Sequence, residues 1–325
     1  MNKYSVFNLT TETDFEHKAL EVFRFQAKNN LVYKQFIELL NVDINQVTKI
    51  EEIPFLPISF FKSHKIVSNT HKIEEIFFSS GTTNANLSKH HVTDLKLYKM
   101  SFTNGFNHFY GDIKNYTILA LLPNYLERKG SSLVYMVTDL INNTKKKESG
   151  FYLNNLSELS IKLKALDKKG AKILLIGVSF ALLDLIELNT FKLNNTIIME
   201  TGGMKGRRKE LIRTELHQVL KEGFGVDTIH SEYGMTELLS QAYSNGNGLF
   251  KTPSWMRILI RDTEDALSIL PKNKTGAINI IDLANTNSCS FIATQDLGKI
   301  DTNNNFEILG RFDNSDIRGC NLMVV

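Results

Sequence analysis

Between Phe15 and Leu40 apolar residues recur at helical spacing, Leu20, Phe23, Ala27 and Leu31, then Val32, Phe36, Leu39 and Leu40. The Asn29-Asn30 pair interrupts them, which predicts two helices. The connector that follows, IPFLPISFFKSH from Ile53 to His64, holds Pro54 and Pro57 among aromatic and aliphatic anchors. It reads as an extended segment laid over a core. From residue 73 short β-rich runs alternate with helical ones: IEEIFFS, a β-compatible run from Lys89 to Val92, a helix near Asp94 to Asn107, YTILALLP, and a helix near Ser131 to Asn142. The rhythm continues through KILLIGV (172–178), a helix from Ser179 to Leu188, NTIIMET (195–201), a helix from Gly206 to Glu222, and VDTIHSEY. Such alternation predicts an α/β fold with helices packed on a sheet. The last 75 residues or so contain FKTPSWMRILIRD, TGAINIIDL and CSFIATQDLG joined by Asn/Gly/Asp turns, so a β-rich C-terminal subdomain is expected.

The chain has 325 residues, 42% hydrophobic and 22% charged, with 21 Phe and 10 Tyr, which suits a large aromatic-rich core and excludes a low-complexity chain. A formal charge of +3, with basic residues scattered apart from Lys145-Lys146-Lys147 and Arg207-Arg208-Lys209, argues against a nucleic-acid face. The most apolar stretch, Ala171 to Leu188, is interrupted by Lys172, Gly177 and Asp184, so no membrane span is expected. The N-terminus lacks an apolar export core, and the expected compartment is the cytoplasm. There the two cysteines, Cys289 and Cys320, would be free thiols.

Chemistry first surfaces in FFSSGTTNANLSKHHV, where Ser79-Ser80-Gly81-Thr82-Thr83 follows an apolar run. Glycine lets a backbone approach phosphate closely, and Ser/Thr hydroxyls add donors. Taken alone the stretch reads first as an ordinary hairpin turn. It is not a P-loop, which needs Gly-Lys-Ser/Thr opening a helix, and no Gly-x-Ser-x-Gly elbow occurs. His90 and His91 follow on a strand, where their side chains point to opposite faces and cannot chelate together.

Further stretches follow in order: Gly202-Gly203 after NTIIMET, SEYGMTE (231–237), TQDLGK (294–299) and GRFDNSDIRG (310–319). Singly, Tyr233 reads as a core tyrosine, Glu237 and Asp296 as solvated acids, and Arg311 as half of a surface ion pair. Together, Ser79 to Thr83, Tyr233-Gly234-Met235-Thr236-Glu237, Asp296 and Gly310-Arg311-x-Asp313 resemble the successive motifs of the adenylate-forming superfamily. Residues 53–66, 122–137 and the closing Ile317-Arg318-Gly319-Cys320 resemble most closely its LuxE-type acyl-protein synthetases, relatives of phenylacetate-CoA ligases that activate fatty acids in the bacterial luminescence reductase complex.

The resemblance implies an adenylation-type domain over 1–325: a helical and extended part (1–72), an α/β core (73–250), a β-rich subdomain (251–316) and a cysteine-bearing tail (317–325). It implies ATP and Mg2+ as cofactors. Ser79, Ser80, Gly81, Thr82 and Thr83 would hold the β- and γ-phosphates, Thr236 the α-phosphate, and Glu237 the magnesium ion. Tyr233, beside Gly234, would lie against adenine, Asp296 would accept the ribose hydroxyls, and Arg311 would add a cation. Gly202 and Gly203 would border the adenine and the acyl tunnel. The expected partners are a fatty acid and an acyl reductase or acyl carrier protein that accepts the acyl group.

Two departures from the family pattern stand out. Asn84 occupies the place of a loop glycine, and Ser88 or Lys89 that of a lysine. Beyond Gly310-Arg311-x-Asp313, longer superfamily members carry a mobile lid domain with a catalytic lysine, which is expected to be absent here. Lys299, a partner subunit or nothing at all would take that lysine's place. By its own setting Cys320 reads as a terminal thiol packed before Leu322-Met323-Val324-Val325; the resemblance makes it the acyl acceptor, with Gly319 giving it backbone freedom. Cys289 reads as core. Alternatives are transfer to coenzyme A or an acyl carrier protein, and a non-catalytic adenylation-fold scaffold.

Overall fold

The computed structural model describes residues 2–68, 71–80, 87–123, 129–202, 208 and 211–311. In chain order its strands and α-helices begin with α1 (Glu12–Asn29), α2 (Leu31–Leu39), β1 (Leu56–Pro57), α3 (Phe60–Ser63), β2 (Glu75–Phe78), β3 (Lys89–Val92) and α4 (Leu95–Tyr110). There follow β4 (Thr117–Leu121), α5 (Ser132–Thr144), β5 (Gly150–Phe151), α6 (Leu156–Lys168), β6 (Ile173–Gly177), α7 (Ser179–Leu188), β7 (Thr196–Thr201) and α8 (Arg213–Phe224). The last are β8 (His230–Tyr233), β9 (Ala242–Ser244), β10 (Phe250–Lys251), β11 (Met256–Arg261), β12 (Thr275–Asp282), β13 (Phe291–Ile300) and β14 (Phe306–Arg311). Two compact units divide the chain, Met1–Thr70 with Ser254–Val325, and His71–Pro253.

In the first unit β11, β12, β13 and β14 pair antiparallel in that order, and β1 joins β13 in parallel through Leu56↔Ile292 and Pro57↔Ala293. Helix α1 starts from a capping box in which Thr11 and Asp14 exchange side-chain-to-backbone bonds, an arrangement that satisfies two otherwise orphaned donors. Its buried face, Phe15, Ala19, Val22, Phe23 and Ala27, includes one polar residue, Gln26. The Gln26 amide donates to the carbonyls of Asn285 (3.1 Å) and Thr286 (2.9 Å), and its oxygen accepts the Ser290 N–H at 2.9 Å. The N-terminal helices and the β-rich segment, far apart in sequence, are thus stitched into one core. The connector is extended at Ile53, pairs as a strand at β1, and then forms a helical turn at Phe60–Ser63 in place of a continuous extended run.

In the second unit the sheet runs β5-β4-β6-β7-β8-β9-β10, parallel from β5 to β8 and antiparallel beyond. Every residue of β4 and of β6 is buried, as expected of parallel strands covered on both faces. The connection β4-α5-β5 leads one way across the sheet, whereas β5-α6-β6, β6-α7-β7 and β7-α8-β8 lead the other. Right-handed crossovers therefore place α5 on one face and α6 to α8 on the opposite one. The order reverses between β4 and β6, and in such sheets ligands bind beyond the carboxyl ends of the strands. A separate antiparallel hairpin, β2–β3, pairs Phe77 with His90 and Ile76 with His91.

Helix α7 coincides with its expected range, and α4, α5, β6 and β7 lie within a few residues of theirs. Two differences have physical causes. Helix α8 begins at Arg213, not Gly206, and Arg208 lies outside it with its guanidinium on Asp184 and Glu187 of α7. Helix α6 falls where the sequence analysis places no element, although Leu156, Leu159, Leu163 and Leu166 recur at helical spacing behind Asn155, whose side chain accepts the Glu158 N–H.

Candidate active site

Several candidate residues follow directly on the carboxyl ends of β7 and β8. Gly202 leaves β7 with φ +69°, a left-handed conformation that glycine adopts without steric cost, and its carbonyl accepts the Ser179 hydroxyl at 2.7 Å. The first turn of α7 thereby holds the loop after β7. Tyr233 ends β8, half-buried and edge-on to Phe250 at 6.0 Å between centroids. Gly234 is exposed, Thr236 half-buried and Glu237 buried.

A side chain at Gly234 would displace the end of the Glu232 side chain. A Cβ there would stand 2.5 Å from Oε1 of Glu232. Glu232 itself is buried on β8, opposite Thr201 of β7, whose hydroxyl donates to Oε2 at 2.5 Å. Burial pushes its carboxyl up to about 7; the Thr201 bond opposes that shift and the nearby Glu200 charge adds to it. A protonated or half-protonated acid therefore underlies the start of the Tyr-Gly-Met-Thr-Glu turn at neutral pH.

The β2–β3 hairpin reaches the same edge of the sheet. Ser79 and Ser88 close the neck of its loop, the Ser79 N–H donating to the Ser88 carbonyl (3.1 Å) and the Ser88 N–H to Ser79 Oγ (3.0 Å). Ser80 is exposed beside them. Gly81, Thr82 and Thr83 lie outside the described residues, as do Gly203 and Cys320. On one side the Phe78 N–H donates to the carbonyl of Gly130, in the loop after β4, at 2.7 Å. On the other, His90 Nδ1 lies 2.8 Å from the carbonyl oxygen of Thr236. Within this unit, then, Ser79, Ser80, Gly202, Tyr233, Gly234, Thr236 and Glu237 all sit at or beside loops that leave the carboxyl ends of the parallel strands.

Asp296 and Arg311 belong to the first unit. Asp296 is buried on β13, flanked by two register shifts, Ala277/Asn279 in the pairing with β12 and Leu297/Gly298 in that with β14. Bulges of this kind re-aim side chains and favour functional edges. Arg311 Nε donates to Asp296 Oδ1 at 3.2 Å while its side chain stays 81% exposed. The Asp296 N–H donates to Thr294 Oγ1 (3.2 Å), and buried Arg261 donates to the Thr294 carbonyl (2.7 Å) and to Asn279 Oδ1 (2.7 Å). Desolvation lowers the Arg261 guanidinium to about 10, the mark of a cation committed to the interior.

Among the described residues no group of three or more His, Cys, Asp or Glu could hold a metal ion. A cation here would depend on one carboxylate, Glu237, together with substrate phosphates, which is how magnesium is usually held. Gly234 is exposed beside the half-buried Tyr233. The Cys289 thiol, fully buried, is pushed up to about 12 by desolvation and is core, as its setting in the sequence suggests.

Sequence reading weighs His90 only as a chelator and does not single out Glu232, Arg261 or Thr294. For His90 a signal existed, because the period of two in Lys-His-His-Val puts it on one face with buried Val92. For Glu232 there was none: its partner Thr201 is set by sheet register.

The sequence profile of the family described as acyl-protein synthetase, LuxE, matches residues 8–325. The chain belongs to that family. It is 39% identical over 64 residues to a long-chain-fatty-acid–luciferin-component ligase of Photorhabdus luminescens, a match covering 19% of this chain and 54% of the relative. Among solved structures it resembles ATP-bound MatB from Rhodopseudomonas palustris (TM-score 0.55, 15% identity, 73% of this chain and 47% of that one). It also resembles a 2-hydroxyisobutyryl-CoA ligase in its postadenylation state (TM-score 0.68, 11% identity, 93% and 68%). The chain thus spans about half the length of the ligase and MatB relatives. At these identities the structural likeness establishes the adenylate-forming fold. No described helix is long and apolar enough to cross a membrane.

Proposed function

We propose that this chain activates a fatty acid with ATP and carries the product on Cys320 as a thioester, for delivery to an acyl reductase. A carboxylate oxygen of the fatty acid attacks the α-phosphorus, the bond to pyrophosphate breaks, and acyl-AMP forms. The Cys320 thiolate then attacks the acyl carbon and AMP leaves. Such chemistry depends on positioning and charge neutralisation more than on covalent help. Ser79, Ser80, Gly81, Thr82 and Thr83 hold the β- and γ-phosphates, Thr236 the α-phosphate and Asp296 the ribose. Tyr233 and Gly234 face the base, beside Gly202 and Gly203, and Arg311 adds a positive charge. Magnesium, held by Glu237, would offset the phosphate charge. What supports the reading is the family match, together with the Tyr233–Glu237 turn and the Ser79 hairpin brought to one edge of a parallel sheet.

Exchange of labelled pyrophosphate into ATP, driven by a panel of fatty acids with magnesium, tests the first step. Asp296→Ala should abolish it along with ATP binding, and unchanged ATP affinity would remove Asp296 from the site. Labelled acid should leave a hydroxylamine-sensitive label on the wild-type chain but none on Cys320→Ser, which keeps the exchange reaction. Label retained by that variant would end the thioester role, and label passing only to added coenzyme A would favour a carrier ligase. Silence with every acid would favour a non-catalytic scaffold.

A further inference from the structure

Residue 90 of the β2–β3 hairpin carries an imidazole where the strand's alternation calls for an apolar side chain. His90 is fully buried, on the same face as Val92 and opposite Phe77 of the neighbouring strand. A buried polar ring costs stability unless it is hydrogen-bonded. Its Nδ1 lies 2.8 Å from the carbonyl oxygen of Thr236, 146 residues later in the chain. A carbonyl oxygen can only accept, so the proton of this bond resides on Nδ1. The carbonyl belongs to a turn, outside any strand, so this bond serves a backbone group that no sheet ladder supplies.

We propose that His90 is a positioning residue that sets the register between the phosphate hairpin and the Tyr233–Glu237 turn; this rests on the adenylation reading above. Among the described residues each strand of the hairpin is hydrogen-bonded to a loop of its unit, and Phe77 packs its ring against Tyr98 and Tyr135. The Phe78 N–H ties β2 to the loop after β4, and the imidazole ties β3 to the loop after β8. A further contact, Ser101 Oγ to Ser240 Oγ at 3.0 Å, ties the loop between β8 and β9, three residues beyond that turn, to α4. Thr236 and Glu237 are thereby held against the element that carries Ser79 and Ser80. In a reaction governed by placement, a shift of about 1 Å costs on the order of a hundredfold in rate.

Three substitutions separate this role from simple core packing. Asn presents its amide nitrogen where Nδ1 lies, Gln presents its own where Nε2 lies, and Phe keeps the ring without a donor. His90→Asn should retain ATP–pyrophosphate exchange, driven by decanoate, myristate or palmitate, within about threefold of wild type. His90→Gln and His90→Phe should lose about tenfold or more, through a raised KM for ATP and a lower kcat. If Asn and Gln fall equally at matched melting temperatures, or Phe behaves as wild type, the proposal is overturned. A measurement that needs no activity accompanies these. In nitrogen-15 NMR of the wild-type protein, the His90 Nδ1 should carry the proton and couple to the Thr236 carbonyl carbon, and a bare Nδ1 would overturn the proposal outright. Should wild type show no exchange with any of the three acids while this coupling is present, the adenylation reading falls and the anchoring of the turn by His90 stands.

Discussion

Glu232 holds a proton more tightly in the folded chain than an ordinary carboxyl does, because burial raises it from 4.5 to about 7. That preference stabilises the fold fully below pH 4.5 and is lost as pH rises through about 7. At about 1.4 kcal/mol per unit, the loss is on the order of 3 kcal/mol. Glu232→Gln keeps an acceptor for the Thr201 hydroxyl and removes the titration. Thermal melts between pH 4.5 and 8 should therefore show a flatter profile in the variant, and a higher melting temperature than wild type at pH 8. A parallel decline in both proteins would exclude Glu232 as the source. Residue-scale legibility rested on the order of motifs and the resemblance they carry: Tyr233, Thr236, Glu237, Asp296 and Arg311 could be singled out that way, and the structure sets Tyr233 and Arg311 at strand ends, Thr236 and Glu237 in the turn after β8, and Asp296 between two register shifts within β13. Glu232 could not, because its partner is brought in by sheet register, and for His90 the alternation shows burial but not the long-range bond to Thr236.

At the scale of elements, hydrophobic period located most of the second unit, since fully buried β4 and β6 stand out as unbroken apolar runs. Helix α6 escaped because Lys and Asp residues dilute its leucines, and β9 and β10 are too short to carry a period. The hairpin was legible as two strands, but its docking was not. That docking depends on Gly130, which has φ +77° and whose Cβ would lie 2.6 Å from Phe78 Cδ2. Gly130→Ala combines a left-handed backbone penalty of about 1–2 kcal/mol with displacement of the Phe78 ring. Denaturant titration should register at least that loss, and exchange of the Phe78 amide should accelerate. If stability holds within about 0.5 kcal/mol, Gly130 is not the anchor its geometry implies.

At the scale of the molecule, the sequence divides into a helical start, an α/β middle and a β-rich end, whereas the start and the end form one compact unit. Periodicity has no access to that pairing, because it lives in side-chain bonds across some 260 positions of sequence, such as Gln26 to Ser290. Gln26 is fully buried and bonds two backbone carbonyls and one backbone N–H. Gln26→Leu fits the apolar surroundings of α1 yet strands those groups, and each unsatisfied buried group costs about 1–3 kcal/mol. The variant should lose about 3 kcal/mol or more in denaturant titration, since the leucine restores little of what the amide supplied. Hydrogen exchange should rise together in α1 and in the turn from Asn285 to Ser290, segments that a purely local defect in the helix would leave uncoupled. If exchange rises in α1 alone, the amide is a helix-surface bond and not the stitch between the two ends of the chain.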